Sequence, residues 1–189
     1  GYSSAASDVY KRQDYSSLFN ADNDKRTANE IIFTLPVDAT HTVSWGSSTY
    51  IICGAVSNTS DKQVPEDYGV KSGWGMFRVR GEIPALFTGE ADQRYLFFTD
   101  GQTQYLNKID DQSNGFFVTK WTNLTDNGQT ASNTADGGVN TDYPLFRLAD
   151  VYLTLAEALY LKPASSETDK EEALSLIHIS EPTRLALIS

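Results

Sequence analysis

The sequence predicts a mainly α-helical fold with short β-strands and long irregular loops. Three observations predict this class. Residues 147–161 have the spacing of a strongly amphipathic helix, and several short runs are rich in aromatic and β-branched residues, as strands are. Residues 123–140 consist largely of Asn, Asp, Gly, Ser and Thr, which bury little apolar surface, so an exposed loop is predicted there.

Two terminal stretches are expected to be foreign to the protein. Residues 8–13 read DVYKRQ and residues 174–179 read LSLIHI. The DNA strand GATGTGTATAAGAGACAG encodes the first stretch, and its reverse complement encodes the second. Residues 1–13 and 174–189 are therefore interpreted as translated sequencing adapter and are excluded from fold reasoning, which leaves an internal fragment of a longer protein. The alternative is a native N-terminal arm and a native amphipathic C-terminal helix.

Composition limits the partners. The formal net charge is −10, and no cluster of Lys and Arg interleaved with aromatic residues occurs, so nucleic acid is not expected as a partner. Cys53 is the single cysteine, which rules out a disulfide within the chain and favours a buried small hydrophobe. No apolar run reaches the length of about 20 residues that a membrane span needs.

The shorter elements are predicted from their composition and from the prolines that end or begin them. Residues 30–36 and 50–56 are predicted to be strands, and the first is closed by a proline. Residues 80–87 are interpreted as a short helix, with Pro84 in its first turn. Residues 95–99 and 116–121 have the aromatic and β-branched composition of strands.

The predicted helix at residues 147–161 has apolar residues on one side and small residues beside them. Its apolar stripe follows the spacing i, i+3, i+4, i+7 and i+11: Leu148, Val151, Tyr152, Leu155 and Leu159. Pro163 ends the helix, and residues 167–173 are predicted to begin a second one. An αα-hairpin stacked on other helices would cover these apolar surfaces.

Three aromatic residues are candidate binding residues because of their neighbours. Trp45, Tyr50 and Trp74 stand in or beside stretches rich in Gly and Ser, whereas core aromatics are expected inside periodic apolar segments. Amphipathic rings between small residues can serve as exposed stacking surfaces. Packing within loops, or at the edge of the core for Tyr50, is the alternative at each position.

No metal or catalytic site is predicted. Asp22, Asn23 and Asp24 resemble the start of a calcium loop, but the required glycine and distal glutamate are missing, so a solvated turn is favoured and calcium is the one cofactor considered. Asp150 and Glu157 lie on one helix face and are interpreted as structural. His41 has no nucleophile motif near it.

Residues 142–158, DYPLFRLADVYLTLAEA, resemble the hallmark segment of the SusD/RagB family, in which the pattern R-L-A-[DE]-v-Y-L-x-x-A-E-A opens the C-terminal region. Residues 29–33 (NEIIF), Asp92 with Arg94 (D-x-R), and Lys120 before Trp121 are similar to further motifs of the family. The resemblance assigns structural roles to five motif residues: Arg147, Asp150, Glu157, Asp92 and Arg94.

The resemblance implies a scaffold of tetratricopeptide-like helix pairs. Residues 14–142 would form a loop-rich, glycan-facing middle region, and residues 143–173 would begin the C-terminal helical region. It also implies a non-catalytic outer-membrane lipoprotein on the cell surface, with its lipid anchor outside this fragment, that binds oligosaccharide or polysaccharide. Such a protein would deliver the glycan to a SusC-like TonB-dependent transporter.

The starch-binding members of the family hold glucan against an arc of rings, and a starch-like glycan is therefore a candidate ligand. Tyr50 and Trp74 are similar in context to two positions of that arc, and Trp45 is a third candidate. Two alternatives belong to other classes of protein. A glycoside hydrolase fragment would need two carboxylates and leaves the helix at residues 147–161 unexplained. A tetratricopeptide-type interaction module would bind a protein partner instead.

Overall fold

The structure is a computed structural model that describes residues 15–26, 30–87, 92–131 and 138–180. The described residues form three α-helices: α1 (Ser47–Gly54), α2 (Leu148–Leu161) and α3 (Glu167–Ser180). Their strands are β1 (Ile31–Leu35), β2 (Arg78–Val79), β3 (Phe97–Phe98), β4 (Phe116–Val118) and β5 (Tyr143–Arg147). Short 3-10 helices occur at Tyr15–Phe19, Asn23–Arg26, Pro65–Tyr68 and Pro84–Leu86. The predicted combination of helices, short strands and irregular loops is confirmed at this level.

The chain divides into two compact units. Among the described residues, a helical unit is formed by residues 26, 30–34 and 144–180, and a loop-rich unit by residues 15–25, 35–87, 92–131 and 138–143.

The helical unit is built around α2 and α3, which pack against each other. The Asp150 carboxylate accepts a hydrogen bond of 3.2 Å from the backbone N–H of Arg147, and a carboxylate at this end also complements the helix dipole. Beyond α2, Lys162 pairs with Asp169 at 2.6 Å, and the Ser166 hydroxyl also donates to Asp169. The first of these contacts caps the start of α2, and the other two stabilise the turn between α2 and α3.

The packing of α2 differs from the predicted apolar stripe. Its buried residues are Ala149 and Ala156, whereas Val151 is 48% exposed and Leu155 is 44% exposed. Small side chains allow a neighbouring helix to approach closely, and within the described part of the unit α3 is the helix that packs on α2. The predicted helix is confirmed, but most of its large apolar side chains remain open to solvent.

Strands β1 and β5 pair in a two-stranded sheet. Ile31 at the start of β1 is completely buried, while Phe33 and Phe146 are exposed and lie 6.4 Å apart between ring centroids. The prediction of a strand at residues 30–36 is confirmed by β1.

The loop-rich unit has a small apolar core. Its buried members are Ile52, Cys53, Val56, Val70 and Val139, which confirms the expected burial of the cysteine. Trp74 and Trp121 pack against this core and are themselves half-buried. A three-stranded antiparallel sheet lies in the same unit in the order β2-β4-β3, and Phe117 in its central strand is fully buried.

The prediction of a strand at residues 50–56 is wrong, because this segment belongs largely to α1. Ser48, Thr49, Ile52 and Cys53 are buried, and their spacing is that of one helical face. Two of these four positions carry polar side chains, so an apolar pattern could not reveal the helical period. Short apolar runs are ambiguous between helix and strand for this reason.

The remaining predictions are partly confirmed. Residues 95–99 contain β3 and residues 116–121 contain β4, each shorter than expected. The helix predicted at residues 80–87 is reduced to the 3-10 turn Pro84–Leu86, which does begin at the expected proline.

The prediction that residues 123–140 form an exposed loop is wrong at both ends. Asn123 is completely buried and Val139 is 1% exposed, while residues 132–137 lie outside the described residues. The Asn123 amide donates to the Gly69 carbonyl at 2.9 Å and accepts from the Asn140 N–H at 2.8 Å. A polar side chain whose hydrogen bonds are satisfied by backbone can be buried without penalty, and composition alone does not reveal such a partner.

Candidate functional site

Trp45, Tyr50 and Trp74 meet on one surface of the loop-rich unit, and together they form what we call the ring platform. The Trp74 ring is central: its centroid lies 5.8 Å from that of Trp45 and 6.0 Å from that of Tyr50. The planes are inclined by 47° and 54° respectively. Trp45 is 61% exposed and Tyr50 is 41% exposed, so both present ring surface to solvent.

Helix α1 supplies two of the three rings. Trp45 lies two residues before the first residue of the helix, and Tyr50 lies in its first turn, where its backbone N–H donates to the Gly46 carbonyl at 3.2 Å. Between them Ser47 adopts a positive φ of 51°. Because Trp45 and Tyr50 lie at the same end of one short helix, both of their rings can contact the Trp74 ring.

The other end of α1 holds the segment that carries Trp74. The Trp74 N–H donates to the Cys53 carbonyl at 2.8 Å, and the Gly75 N–H donates to the Val56 carbonyl at 2.8 Å. The last carbonyls of a helix lack partners inside the helix, so this segment satisfies them.

Gly73 makes that approach sterically possible. A Cβ atom at position 73 would lie 2.3 Å from the Ser57 carbonyl oxygen and 2.5 Å from the Val56 carbonyl oxygen. The glycine before Trp74 in the sequence is therefore explained by close backbone packing.

Phe77 is a fourth aromatic residue in contact with the ring platform, and the sequence did not indicate it. Its ring meets Tyr50 edge-on at 5.0 Å between centroids. Gly54 provides the space, because a Cβ there would lie 2.5 Å from the Phe77 ring. Phe77 is flanked by larger residues, so the composition rule that identified the other rings passed over it.

Three polar residues lie beside the Trp74 segment: Ser57, Asn58 and Gln112. The Gln112 side-chain oxygen accepts from the Ser57 hydroxyl at 2.9 Å and from the Asn58 N–H at 3.1 Å. Its side-chain nitrogen donates to the Asn58 side-chain oxygen at 2.7 Å. Amides and hydroxyls of this kind are suitable hydrogen-bonding partners for sugar hydroxyls.

Asp92 and Arg94 form a local ion pair in the loop-rich unit. Arg94 Nε donates to Asp92 Oδ1 at 2.9 Å and Arg94 Nη2 donates to Asp92 Oδ2 at 2.7 Å, which is a bidentate fork. Asp92 is 1% exposed, and the guanidinium also lies 5.7 Å from the centre of the Phe87 ring. A buried carboxylate with two charge-assisted hydrogen bonds is suited to stabilising the local fold.

The motif residues of the helical unit lie at the end of β5 and along α2. Arg147 pairs with the buried Glu30 at 3.4 Å, and the Glu30 carbonyl accepts from the Leu148 N–H at 2.8 Å. Asp150 caps α2 as described above. Glu157 is exposed and borders a groove of about 380 Å³ between α2 and α3, together with Leu153, Ala156 and Tyr160.

The residues considered for calcium make structural contacts. Asn23 is completely buried; its amide donates to the Asp142 carbonyl at 2.9 Å and accepts from the Asp142 N–H at 3.1 Å. Asp22 pairs with Lys25 at 3.0 Å and accepts from the Asp126 N–H at 2.9 Å. Within the described ranges, no three His, Cys, Asp or Glu side chains converge as a metal site would require.

His41 lies in an exposed turn, where it contacts the Asp38 carboxylate at 2.9 Å. Hydrogen bonds from Thr40, and then from His41, hold the pKa of Asp38 well below its usual range. Among the described residues, no helix is both long and apolar enough to cross a membrane.

Comparison with known proteins agrees with the hallmark segment on α2. A model of the SusD family matches residues 5–179. The starch-binding protein SusD of Bacteroides thetaiotaomicron is 27% identical over 206 aligned positions, which cover 84% of this chain and 36% of that protein. The chain therefore belongs to the SusD family, and it spans little more than a third of the length of this relative.

Proposed function

We propose that the chain is part of a non-catalytic protein that binds oligosaccharide or polysaccharide through the ring platform. The observation that carries the proposal is the convergence of Trp45, Tyr50 and Trp74 on one surface. The C–H face of a pyranose stacks on aromatic rings, and polar groups at the border bind its hydroxyls. Ser57 and Asn58 supply such groups beside the Trp74 segment.

The inclination of the rings favours a curved glycan. Neighbouring planes differ by 47° and 54°, so a chain that contacts all three rings must turn between them. A helical α-linked glucan turns in this way, whereas a flat ribbon would need rings in nearly one plane. A starch-like glucan is therefore the ligand we propose, in line with the starch-binding relative.

The proposal of binding without hydrolysis rests on the family to which the chain belongs and on the starch-binding protein that it resembles. Glycoside hydrolysis uses a pair of carboxyl groups that flank the scissile bond, at about 5–10 Å from each other. The assay of reducing ends described below tests for that activity.

We further propose that α2 and α3 are one helix pair of a tetratricopeptide-like scaffold in the longer protein. Large apolar side chains of α2 remain exposed, among them Val151, Leu155 and Leu161. Additional helix pairs packed on this surface would bury them. Leu174 and Ile177 line the groove from α3 and fall in the stretch interpreted as adapter.

Family membership supports a location and a partner for the longer protein. We propose a lipid-anchored protein of the outer membrane, exposed on the cell surface, that passes its glycan to a SusC-like TonB-dependent transporter. Affinity purification of the full-length protein from its native membrane tests the partner, because a transporter of that class should copurify. Copurification of periplasmic proteins in its place would contradict this assignment.

Calorimetry on the full-length protein from the uninterrupted gene tests the binding function. Maltoheptaose should bind with a measurable enthalpy, and cellohexaose, a flat β-linked oligosaccharide, should bind weakly or not at all. A parallel incubation with starch, followed by assay of reducing ends, tests catalysis. Release of sugar at an enzymatic rate would establish a hydrolase, and absence of binding to any oligosaccharide of a broad panel would refute the proposal.

A further inference from the structure

The segment that carries Trp74 is contacted from two sides. On the inner side, the backbone of Trp74 and Gly75 is bonded to the carbonyls at the end of α1. On the outer side, the Gln112 amide lies directly on Gly75: a Cβ atom at position 75 would be 2.1 Å from Gln112 Cδ. Gly75 also has a positive φ of 66°, so this position is suited to glycine both in conformation and in space.

The Gln112 side chain is itself fixed by hydrogen bonds. It bridges to Ser57 and Asn58, which lie three and four residues after the end of α1, with distances of 2.7–3.1 Å. The same amide therefore touches the Trp74 segment and the stretch of chain that follows α1. Movement of Gln112 would release both.

The loop that presents Gln112 is held by two further side chains. Arg78 donates from Nη1 to the Asp111 and Asn114 carbonyls at 2.6 Å each, and from Nη2 to the Ile109 carbonyl. Gln102 donates from Nε2 to the Gln112 carbonyl at 2.7 Å and to the Gly115 carbonyl at 2.9 Å. The loop is thus hydrogen-bonded to these two side chains at several of its backbone carbonyls.

We infer that Gln112 is a positioning residue for the ring platform: its amide, presented by the loop at residues 109–114, holds the Trp74 segment against the end of α1. This inference rests on the proposed glycan-binding function. Gln112 acts through Trp74, because what it contacts is the backbone that carries the ring. Sequence separation hides the relationship, since Gln112 follows Gly75 by a long stretch of chain.

The test uses Gln112→Ala in the full-length protein, with Ser113→Ala as the matched control. Ser113 lies in the same loop, and its hydroxyl bonds Asp111 and not the Trp74 segment. Calorimetry with maltoheptaose should show roughly three- to tenfold weaker binding for Gln112→Ala, as expected when a ring loses its preferred position but remains present. Ser113→Ala should bind as the wild type does.

A double-mutant cycle separates positioning from general loss of structure. In a Trp74→Ala background, Gln112→Ala should cause no additional loss of affinity, because the ring that it positions is gone. A full further loss in that background would overturn the inference. So would unchanged affinity in a folded Gln112→Ala protein.

A second readout does not depend on a ligand. Indole rings as close as Trp45 and Trp74 couple electronically and give paired bands of opposite sign in far-ultraviolet circular dichroism. Gln112→Ala should weaken this signal and Ser113→Ala should preserve it. If the wild type binds no glycan, the proposed function fails while this signal still decides the inference.

A second variant covers the case in which Gln112→Ala does not fold. Asn58→Ala removes a hydrogen bond to the same Gln112 amide and should weaken the circular dichroism signal to a smaller extent. An unchanged signal would count against the inference.

Discussion

The backbone N–H of Trp74 donates to the carbonyl of Cys53 at 2.8 Å, so the central ring of the platform is tied to the end of α1. Trp45 and Tyr50 leave the opposite end of the same helix. One short helix therefore determines the relative positions of all three rings. The predictions below follow from this arrangement and from the contacts around it.

Replacing Trp74 by alanine should weaken glycan binding in the full-length protein. The central ring contacts both other rings, and losing one buried aromatic contact costs about 1–3 kcal/mol. Calorimetry with maltoheptaose measures the change. Tyr105→Ala is the matched control, because Tyr105 is a 52% exposed aromatic residue outside the ring platform. This variant should bind maltoheptaose with unchanged affinity. An unchanged dissociation constant for Trp74→Ala would remove this ring from the site.

Gly73→Ala should destabilise the full-length protein. The new methyl group would lie 2.3 Å from the Ser57 carbonyl oxygen, and relieving such a contact costs about 1–3 kcal/mol or more. Urea unfolding measures the loss. Gly46→Ala provides the comparison, since a Cβ there meets its nearest atom at 3.4 Å and should cost less than about 1 kcal/mol. Equal stability of the two variants would show that residue 73 does not approach the Val56 and Ser57 carbonyls closely.

Asp92→Ala should be more damaging than loss of an exposed ion pair. Asp92 is 1% exposed, and its removal leaves the Arg94 guanidinium without its two hydrogen bonds to the carboxylate. The expected loss in the free energy of unfolding is about 2–4 kcal/mol. Lys62→Ala breaks the exposed bridge to Asp100, and such bridges contribute little to stability because water screens them. Thermal denaturation of the two variants side by side makes the comparison. A larger loss for Lys62→Ala would contradict the structure.

Cys53 should be unreactive in the folded protein. Burial raises the pKa of its thiol to about 11, so little thiolate exists at neutral pH. The raised pKa contributes stability at low pH, and that contribution is lost as the pH rises from the unfolded value of 9.0 towards 11. Titration with Ellman's reagent should show reaction only after unfolding. Rapid labelling of the native protein at neutral pH would contradict the burial.

Residues 14–173 expressed alone should fold poorly. The apolar side chains of α2, such as Val151 and Leu155, are exposed, and the helix pairs proposed to cover them would be missing. Differential scanning calorimetry should show no cooperative transition for this piece and a cooperative transition for the full-length protein. A cooperative melt of the piece with the enthalpy expected for its size would refute the proposed scaffold.

Particular residues show how far the sequence predicts this structure. The long helix was predictable because Leu148, Val151, Leu155 and Leu159 follow its period, yet which of them are buried depends on neighbouring helices. The short helix α1 was mistaken for a strand because Ser48 and Thr49 occupy half of its buried face.

The candidate site was predictable in its most distinctive residues only. Aromatic side chains beside Gly and Ser indicated Trp45, Tyr50 and Trp74, and the structure brings these three together. Phe77 and Gln112 were missed, because their relevance lies in contacts with Gly54 and Gly75 that form only after folding. The assignment of the three rings to a glycan remains a prediction.

The most direct measurement is a crystal structure of the full-length protein with maltoheptaose. We predict a glucose ring stacked on Trp74, with the glucan turning between Trp45 and Tyr50, intact glycosidic bonds, and the Gln112 amide still seated on Gly75. Glucan bound elsewhere with all three rings bare, or a cleaved oligosaccharide on the platform, would contradict the account.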